Sequence, residues 1–202
     1  MLILFLLKIV NTFNFSIGGE SSFNNMSADT KRRGADLKEL IENGQVYEAG
    51  ILQGFACNVR GAVVEGNRVG RKLGYPTANL KVMPGFVVPA QGVYVGFVKL
   101  DNRWFKSMIN IGIRPTLDQH NVTVEAHILE FDRDIYGQTI EIHFIRRIRH
   151  EMRFPSLEAL KMQLHSDRRK SLTIIKNLSL FPKENDRVLC FSKSGQLRLK
   201  PE

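Results

Sequence analysis

"GVYVGFVKLDNRWFKSMINIG", residues 92–112, settles the kind of architecture. Two runs dominated by Val, Ile, Phe, Tyr and Trp flank Asp101 and Asn102, and apolar side chains recur with a period of two. β-Branched and aromatic residues suit a pleated, half-buried surface, and Asp and Asn accept turn backbone. The stretch therefore predicts an antiparallel hairpin closed at Asp101 and Asn102. The same period runs through "NVRGAVVEG" (58–66), "VTVEAHILEF" (122–131) and "QTIEIHFIRRI" (138–148). The turn-like "DRDIYG" (132–137) suggests that the last two of these also pair with each other. Five or six antiparallel strands in ~100 residues must hide their edges, which predicts a small closed barrel or sandwich in a mainly β chain.

Helical spacing is confined to the flanks. "ADLKELIENG" (35–44) places Leu37, Leu40 and Ile41 on one side and stops at Gly44; "QVYEAGILQ" (45–53) ends near Gly54. "PSLEALKMQLHSDRRKSLTIIKNL" (155–178) predicts a C-terminal helix capped by Ser156, with Leu157, Leu160 and Leu164 facing the core. Residues from about 182 carry little signal.

The chain has 202 residues, 43% of them hydrophobic, as expected of one or two globular domains. With 29 Lys and Arg against 20 Asp and Glu the net charge is +9, which favours an anionic partner: nucleotide phosphates, nucleic acid or a membrane surface. Nine Lys and Arg against four Asp and Glu between 141 and 180 carry much of this excess. Two cysteines, Cys57 and Cys190, make neither a disulfide framework nor a metal knuckle, which favours a reducing, cytoplasmic setting. The opening "MLILFLLKIV" is shorter than the about 20 residues that span a bilayer, and no basic start precedes it as in a signal peptide. Residues 1–34 are expected to be a disordered extension, or one assigned upstream of a true start at Met26.

Chemistry concentrates in "EGNRVGRKLGYPTANL" (65–80). Gly66, Gly70 and Gly74 recur every fourth residue beside Arg68, Arg71 and Lys72, a composition able to cradle a polyphosphate. It is neither a Walker A loop nor a dinucleotide fingerprint. Pro76 biases Tyr75 and itself toward extended backbone, and in extended chain Thr77 and Asn79 face the same way. Their two neutral oxygens suit Mg²⁺ brought in with a nucleotide. Equally, both side chains could serve only the backbone of their own loop.

Alternation in "VTVEAHILEF" puts Thr123, Glu125, His127 and Leu129 on the face opposite Val122, Val124, Ala126 and Ile128. Glu125 is then either a surface acid or a carboxylate that orients an alcohol and takes its proton in phosphoryl transfer. His127 is its neighbour or a packing residue. The histidines lack H-E-x-x-H spacing, and there is no G-x-S-x-G, so neither a zinc site of that kind nor an acyl-transfer hydrolase is indicated.

Read in order, "GAVVEGNRVGRKLGYPTANL", "GVYVGFVKLDNRWFKSMINIGIRPT" and "VEAHILEFDRDIYGQTIEIHFIRRIRHEMRFPSLEALKMQL" resemble the riboflavin kinases, free-standing or as the C-terminal module of bacterial bifunctional riboflavin kinase/FMN adenylyltransferases. The resemblance implies a six-stranded antiparallel Greek-key barrel over about 54–182 with a C-terminal helix, preceded by a helical connector (35–53) and followed by a tail (183–202). It implies ATP-dependent phosphorylation of the riboflavin 5′-hydroxyl to FMN, with Mg²⁺ or another divalent cation, by a monomer with no nucleic-acid partner and no membrane span. By the same resemblance Thr77 and Asn79 are the metal ligands, and Gly66, Arg71, Gly74 and Tyr136 join them at ATP. Glu125 is the catalytic carboxylate, and Arg149, Glu151 and Phe154 border the flavin. The upstream adenylyltransferase module and its H-x-G-H-type motif have no counterpart in this sequence, so FAD synthesis is not expected. Two rival readings stand beside this: a flavin-binding module without catalysis, and a basic nucleic-acid-binding barrel.

Overall fold

The computed structural model describes residues 28–115, 120–178, 188–191 and 197–200. The expected N-terminal extension falls, up to residue 27, outside them. Six strands form one closed antiparallel barrel: β1 (Cys57–Val64), β2 (Ala78–Val82), β3 (Gly92–Leu100), β4 (Arg103–Pro115), β5 (His120–Ile128) and β6 (Thr139–Arg149). Their order around the barrel is β1-β2-β5-β4-β3-β6. β3, β4 and β5 form a meander, β2 returns beside β5, and β6 returns beside β3, so two Greek keys interlock. Closure leaves the barrel without an edge.

The β3–β4 hairpin turns at Asp101 (φ 50°) and Asn102 (φ 59°), the left-handed pair that a two-residue turn between twisted strands requires. The expected β5–β6 pairing is not formed. β4 occupies one side of β5 and β2 the other, and β6 lies between β1 and β3. "DRDIYG" therefore crosses the barrel end instead of closing a hairpin.

Two cores hold the molecule. Inside the barrel, Val59, Leu80, Tyr94, Ile109, Ile111, Val124, Ala126, Ile140, Ile142 and Phe144 pack together. Outside it, Val95, Phe97, Trp104 and Ile145 are covered by Ala56 and by Ile175 of the C-terminal helix. β3 is consequently buried on both faces, although its alternation alone would place one face in water.

Three helices flank or interrupt the sheet before it closes. α1 (Ala28–Glu42) begins seven residues ahead of the expected start, and α2 (Val46–Gln53) ends at Gly54, whose φ of 87° supplies the left-handed cap. α3 (Val69–Lys72) is a single turn inside the glycine-rich segment. The C-terminal helix, α4 (Leu157–Asn177), starts as expected: the Ser156 hydroxyl accepts a hydrogen bond from the Ala159 amide at 3.1 Å. Its expected stripe lies on the barrel-facing side, with Leu160 and Leu164 half-buried, but full burial is reached only farther along the same face. Leu157 is 57% exposed, and the positions buried against the barrel are Asp167, Ser171 and Ile175. Within the expected tail, β7 (Val188–Phe191) and β8 (Leu197–Lys200) pair as a small separate hairpin.

Candidate active site on the outer face of the barrel

Because Leu80, Val124, Ala126, Ile109 and Ile111 point into the barrel, the intervening Asn79, Glu125 and Asn110 point outward. Strand register aligns them. Asn79 stands opposite Glu125 across β2–β5, and Asn110 stands opposite Glu125 across β5–β4. The same rung continues through Val93 of β3 to Arg149 of β6. Three polar side chains thus sit in a row, with the carboxylate in the middle, and all three are half-buried.

Thr77 joins them from the start of β2. Its hydroxyl donates to Oε2 of Glu125 at 3.3 Å, so its bond goes to the acid and not to the backbone of its own loop. Asn79 is set by Gly66: a Cβ there would fall 2.1 Å from Nδ2 of Asn79, so only glycine lets the amide lie where it does. Gly70 serves a similar close approach, since its Cβ would fall 2.2 Å from the Tyr75 carbonyl oxygen. The Gly70 carbonyl also accepts from the amides of Leu73 and Tyr75, and Gly74 takes the left-handed φ of 83° that reverses the chain into Pro76. Two of the three glycines are thereby explained by packing within the loop.

Beside this row a pocket of about 570 Å³ opens at the barrel end, lined by Arg71, Thr77, Phe131, Ile135 and Tyr136 among others. Arg71 and Tyr136, far apart in sequence, meet here because the β5–β6 crossing passes over the barrel mouth. The Tyr136 amide is held by Oδ1 of Asp134 at 3.0 Å. An aromatic ring, an arginine and two apolar walls suit a planar, phosphorylated ligand.

On the other side of the row, Arg149 and Phe154 come together, with the guanidinium carbon 5.7 Å from the ring centre. Arg149 is already engaged: Nε donates to Oδ2 of Asp167 at 2.9 Å, and Nη1 to the His150 carbonyl at 3.0 Å. Gln163 completes the buried carboxylate by donating to its Oδ1 at 2.8 Å. The Glu151 carboxylate lies against Gly112, where a Cβ would fall 2.6 Å from Oε1, and Asn110 is the other neighbour of that point. Asn110 and Asp167 carry no sequence signal of their own. Asn110 becomes visible once β4 and β5 are in register, and Asp167 only when α4 is laid on the barrel.

The donor set fits a hard divalent cation. Among the described residues no cluster of three His, Cys, Asp or Glu side chains exists to hold one alone. The Thr77 hydroxyl and the Asn79 amide seated on Gly66 offer two neutral oxygen ligands, beside the Glu125 carboxylate, that phosphate oxygens and water would complete.

A closed Greek-key barrel carrying an acid among neutral oxygens, beside a nucleotide-sized pocket, has the equipment of a small-molecule kinase. The family model for riboflavin kinase matches residues 53–175, and the chain belongs to that family. Among curated relatives, the bifunctional riboflavin kinase/FMN adenylyltransferase of Haemophilus influenzae is 36% identical over 132 residues, 65% of this chain and 42% of that protein. An RNA-binding riboflavin kinase of Bacillus subtilis is 38% identical over 110 residues, 54% of this chain and 47% of that protein. The chain thus spans less than half the length of either. A solved structure described as a macrolide-efflux protein from Streptococcus pneumoniae superposes with a TM-score of 0.66 at 37% identity, over 68% of this chain and 45% of that one. Among the described residues of the present chain, no helix is long and apolar enough to cross a membrane.

Proposed function

We propose that this chain transfers the γ-phosphoryl group of ATP to the riboflavin 5′-hydroxyl, giving FMN and ADP, with Glu125 as the catalytic carboxylate. The observation that carries the reading is the Thr77 hydroxyl 3.3 Å from Glu125, with Asn79 and Asn110 on either side of the acid in one rung. The Arg71 and Tyr136 pocket receives the nucleotide, and the Arg149, Glu151 and Phe154 segment borders the flavin. In the transfer, the 5′-oxygen bonds to the γ-phosphorus as the bond to the bridging oxygen of ADP breaks, and the hydroxyl proton passes to Glu125. Phosphoryl transfer has a loose transition state, so placing the alcohol and neutralising charge supply most of the catalysis. A divalent cation held by Thr77 and Asn79 would neutralise the phosphate oxygens. Donating its proton to Glu125 leaves the Thr77 oxygen with lone pairs for such an ion.

Adenylyl transfer is assigned to none of the described residues, and FAD is not an expected product of the purified chain.

The test is FMN formation from riboflavin and ATP with increasing Mg²⁺. Glu125→Gln is expected to lower kcat by about 10²–10⁴-fold, as for loss of a general base, while riboflavin and ADP still bind in fluorescence and calorimetric titrations. Wild-type turnover in that variant would remove Glu125 from the reaction. Binding of both ligands by a wild-type chain that forms no FMN would favour the non-catalytic module instead.

A further inference from the structure

His127 lies two residues beyond Glu125 on the same outward face of β5. Its Nδ1 is 2.8 Å from the Pro76 carbonyl oxygen, and because a carbonyl only accepts, Nδ1 carries the proton. The contact stands where backbone pairing stops. The β2–β5 ladder begins at Ala78 opposite Ala126, so Pro76 and Thr77 lie ahead of it, and proline has no N–H with which to extend it. Two side chains of β5 replace the missing rungs: His127 holds the Pro76 carbonyl and Glu125 holds the Thr77 hydroxyl. The His127 ring is itself backed by Tyr75, whose ring centre lies 5.1 Å away in an edge-to-face arrangement. Tyr75 is buried, and its hydroxyl shares a 2.9 Å hydrogen bond with Nδ1 of His165 on α4. A chain of contacts thus runs from the C-terminal helix through Tyr75 and His127 to the peptide that carries Thr77.

We propose that His127 is a positioning residue for metal–nucleotide binding: by donating Nδ1–H to the Pro76 carbonyl it anchors the Pro76–Thr77 peptide, so that Thr77 and Asn79 present their oxygens together. The role rests on the kinase reading of this site and acts through Thr77, without contact between His127 and substrate. It separates the two ligands. Loss of the anchor loosens the nucleotide side, whereas the Arg149 and Phe154 segment, held by Asp167, is untouched.

Two variants test this. His127→Leu fills the space without a donor, and His127→Asn restores an N–H. His127→Leu is expected to weaken binding of Mg–ADP by about tenfold, the worth of one hydrogen bond, with riboflavin affinity within about twofold of wild type. His127→Asn is expected to recover at least half of that loss on a logarithmic scale. Wild-type Mg–ADP affinity in His127→Leu overturns the proposal. So does an equal loss of riboflavin and nucleotide binding with a lowered melting temperature in both variants, which marks a purely structural residue. Should the leucine variant fail to fold, the wild-type chain still decides: ¹⁵N imidazole shifts must show His127 as the Nδ1–H tautomer, and the Nε2–H tautomer overturns the assignment. Mg–ADP binding is read without turnover, so a chain that makes no FMN would defeat the proposed function and leave the role of His127 to be decided by the binding data.

Discussion

Gly66 shows how one missing methyl group sets a ligand-binding side chain. A Cβ at this position collides with Nδ2 of Asn79 at 2.1 Å, and the atom it meets is the far end of a side chain that can rotate away. Gly66→Ala should therefore cost little stability and much function. The melting temperature is expected to stay close to wild type while Mg–ADP affinity falls by about tenfold or more, since a misplacement near 1 Å is enough to spoil such a site. Differential scanning fluorimetry beside calorimetric titration separates the two effects. Gly74 differs in kind, because its φ of 83° with open space around it makes it a backbone requirement and not a contact. Both appear in sequence merely as members of a four-residue repeat.

Among the elements, α4 is more than a cover for the barrel. It buries Asp167, which is 0% exposed, against Arg149, which is 13% exposed, and Gln163 takes the second carboxylate oxygen. Removing one partner of a buried pair leaves the other charge desolvated and uncompensated, which costs more than the pair contributes net. Asp167→Ala is expected to destabilise the chain by about 3 kcal/mol in denaturant unfolding, and to loosen the Arg149–Phe154 segment at the same time. Flavin affinity should fall with it, whereas nucleotide affinity should hold. The apolar pattern of the helix finds the right face but not its buried polar members. Leu157, Leu160 and Leu164 continue at helical spacing into Asp167, Ser171 and Ile175, so one face runs the length of the helix; Leu160 and Leu164 are half-buried on it and Leu157, at the first turn, is exposed.

The molecule as a whole depends on closing the barrel and covering half its outer face, and both bury groups that titrate. His143 of β6 is 2% exposed, packed against Trp104 with ring centres 4.7 Å apart, and its Nε2 lies 3.4 Å from Oε2 of Glu141. Its Nδ1 is buried with no hydrogen-bond partner among the described residues. Burial holds its pKa below the ordinary 6.5, opposed by the Glu141 carboxylate and reinforced by the Lys99 charge. Below pH 6.5 the unfolded chain takes up a proton that the folded chain refuses, so stability is complete above that value and falls as the pH drops through the window beneath it. His127, also lowered chiefly by burial, adds a slope of the same sign. Urea unfolding at about pH 5 and about pH 7.5 should show the acid-side loss, and His143→Gln should reduce it whatever its effect at neutral pH.

The features legible in the sequence are local ones. Period-two alternation, the Asp101 and Asn102 turn and Ser156 as a cap depend on backbone geometry within a few residues, and each is present as read. The order of strands cannot be read in this way. β2 lies beside β5 and β6 beside β3 because closure must pair every edge, a condition on the entire sheet that no window of residues expresses. Only that order puts Asn79, Glu125 and Asn110 into one rung, carries Tyr136 to Arg71, and brings His127 under the Pro76 carbonyl. Thr77, Asn79 and Glu125 were visible in the chain as candidates, whereas Asn110 and every distance among them were decided by which strands became neighbours.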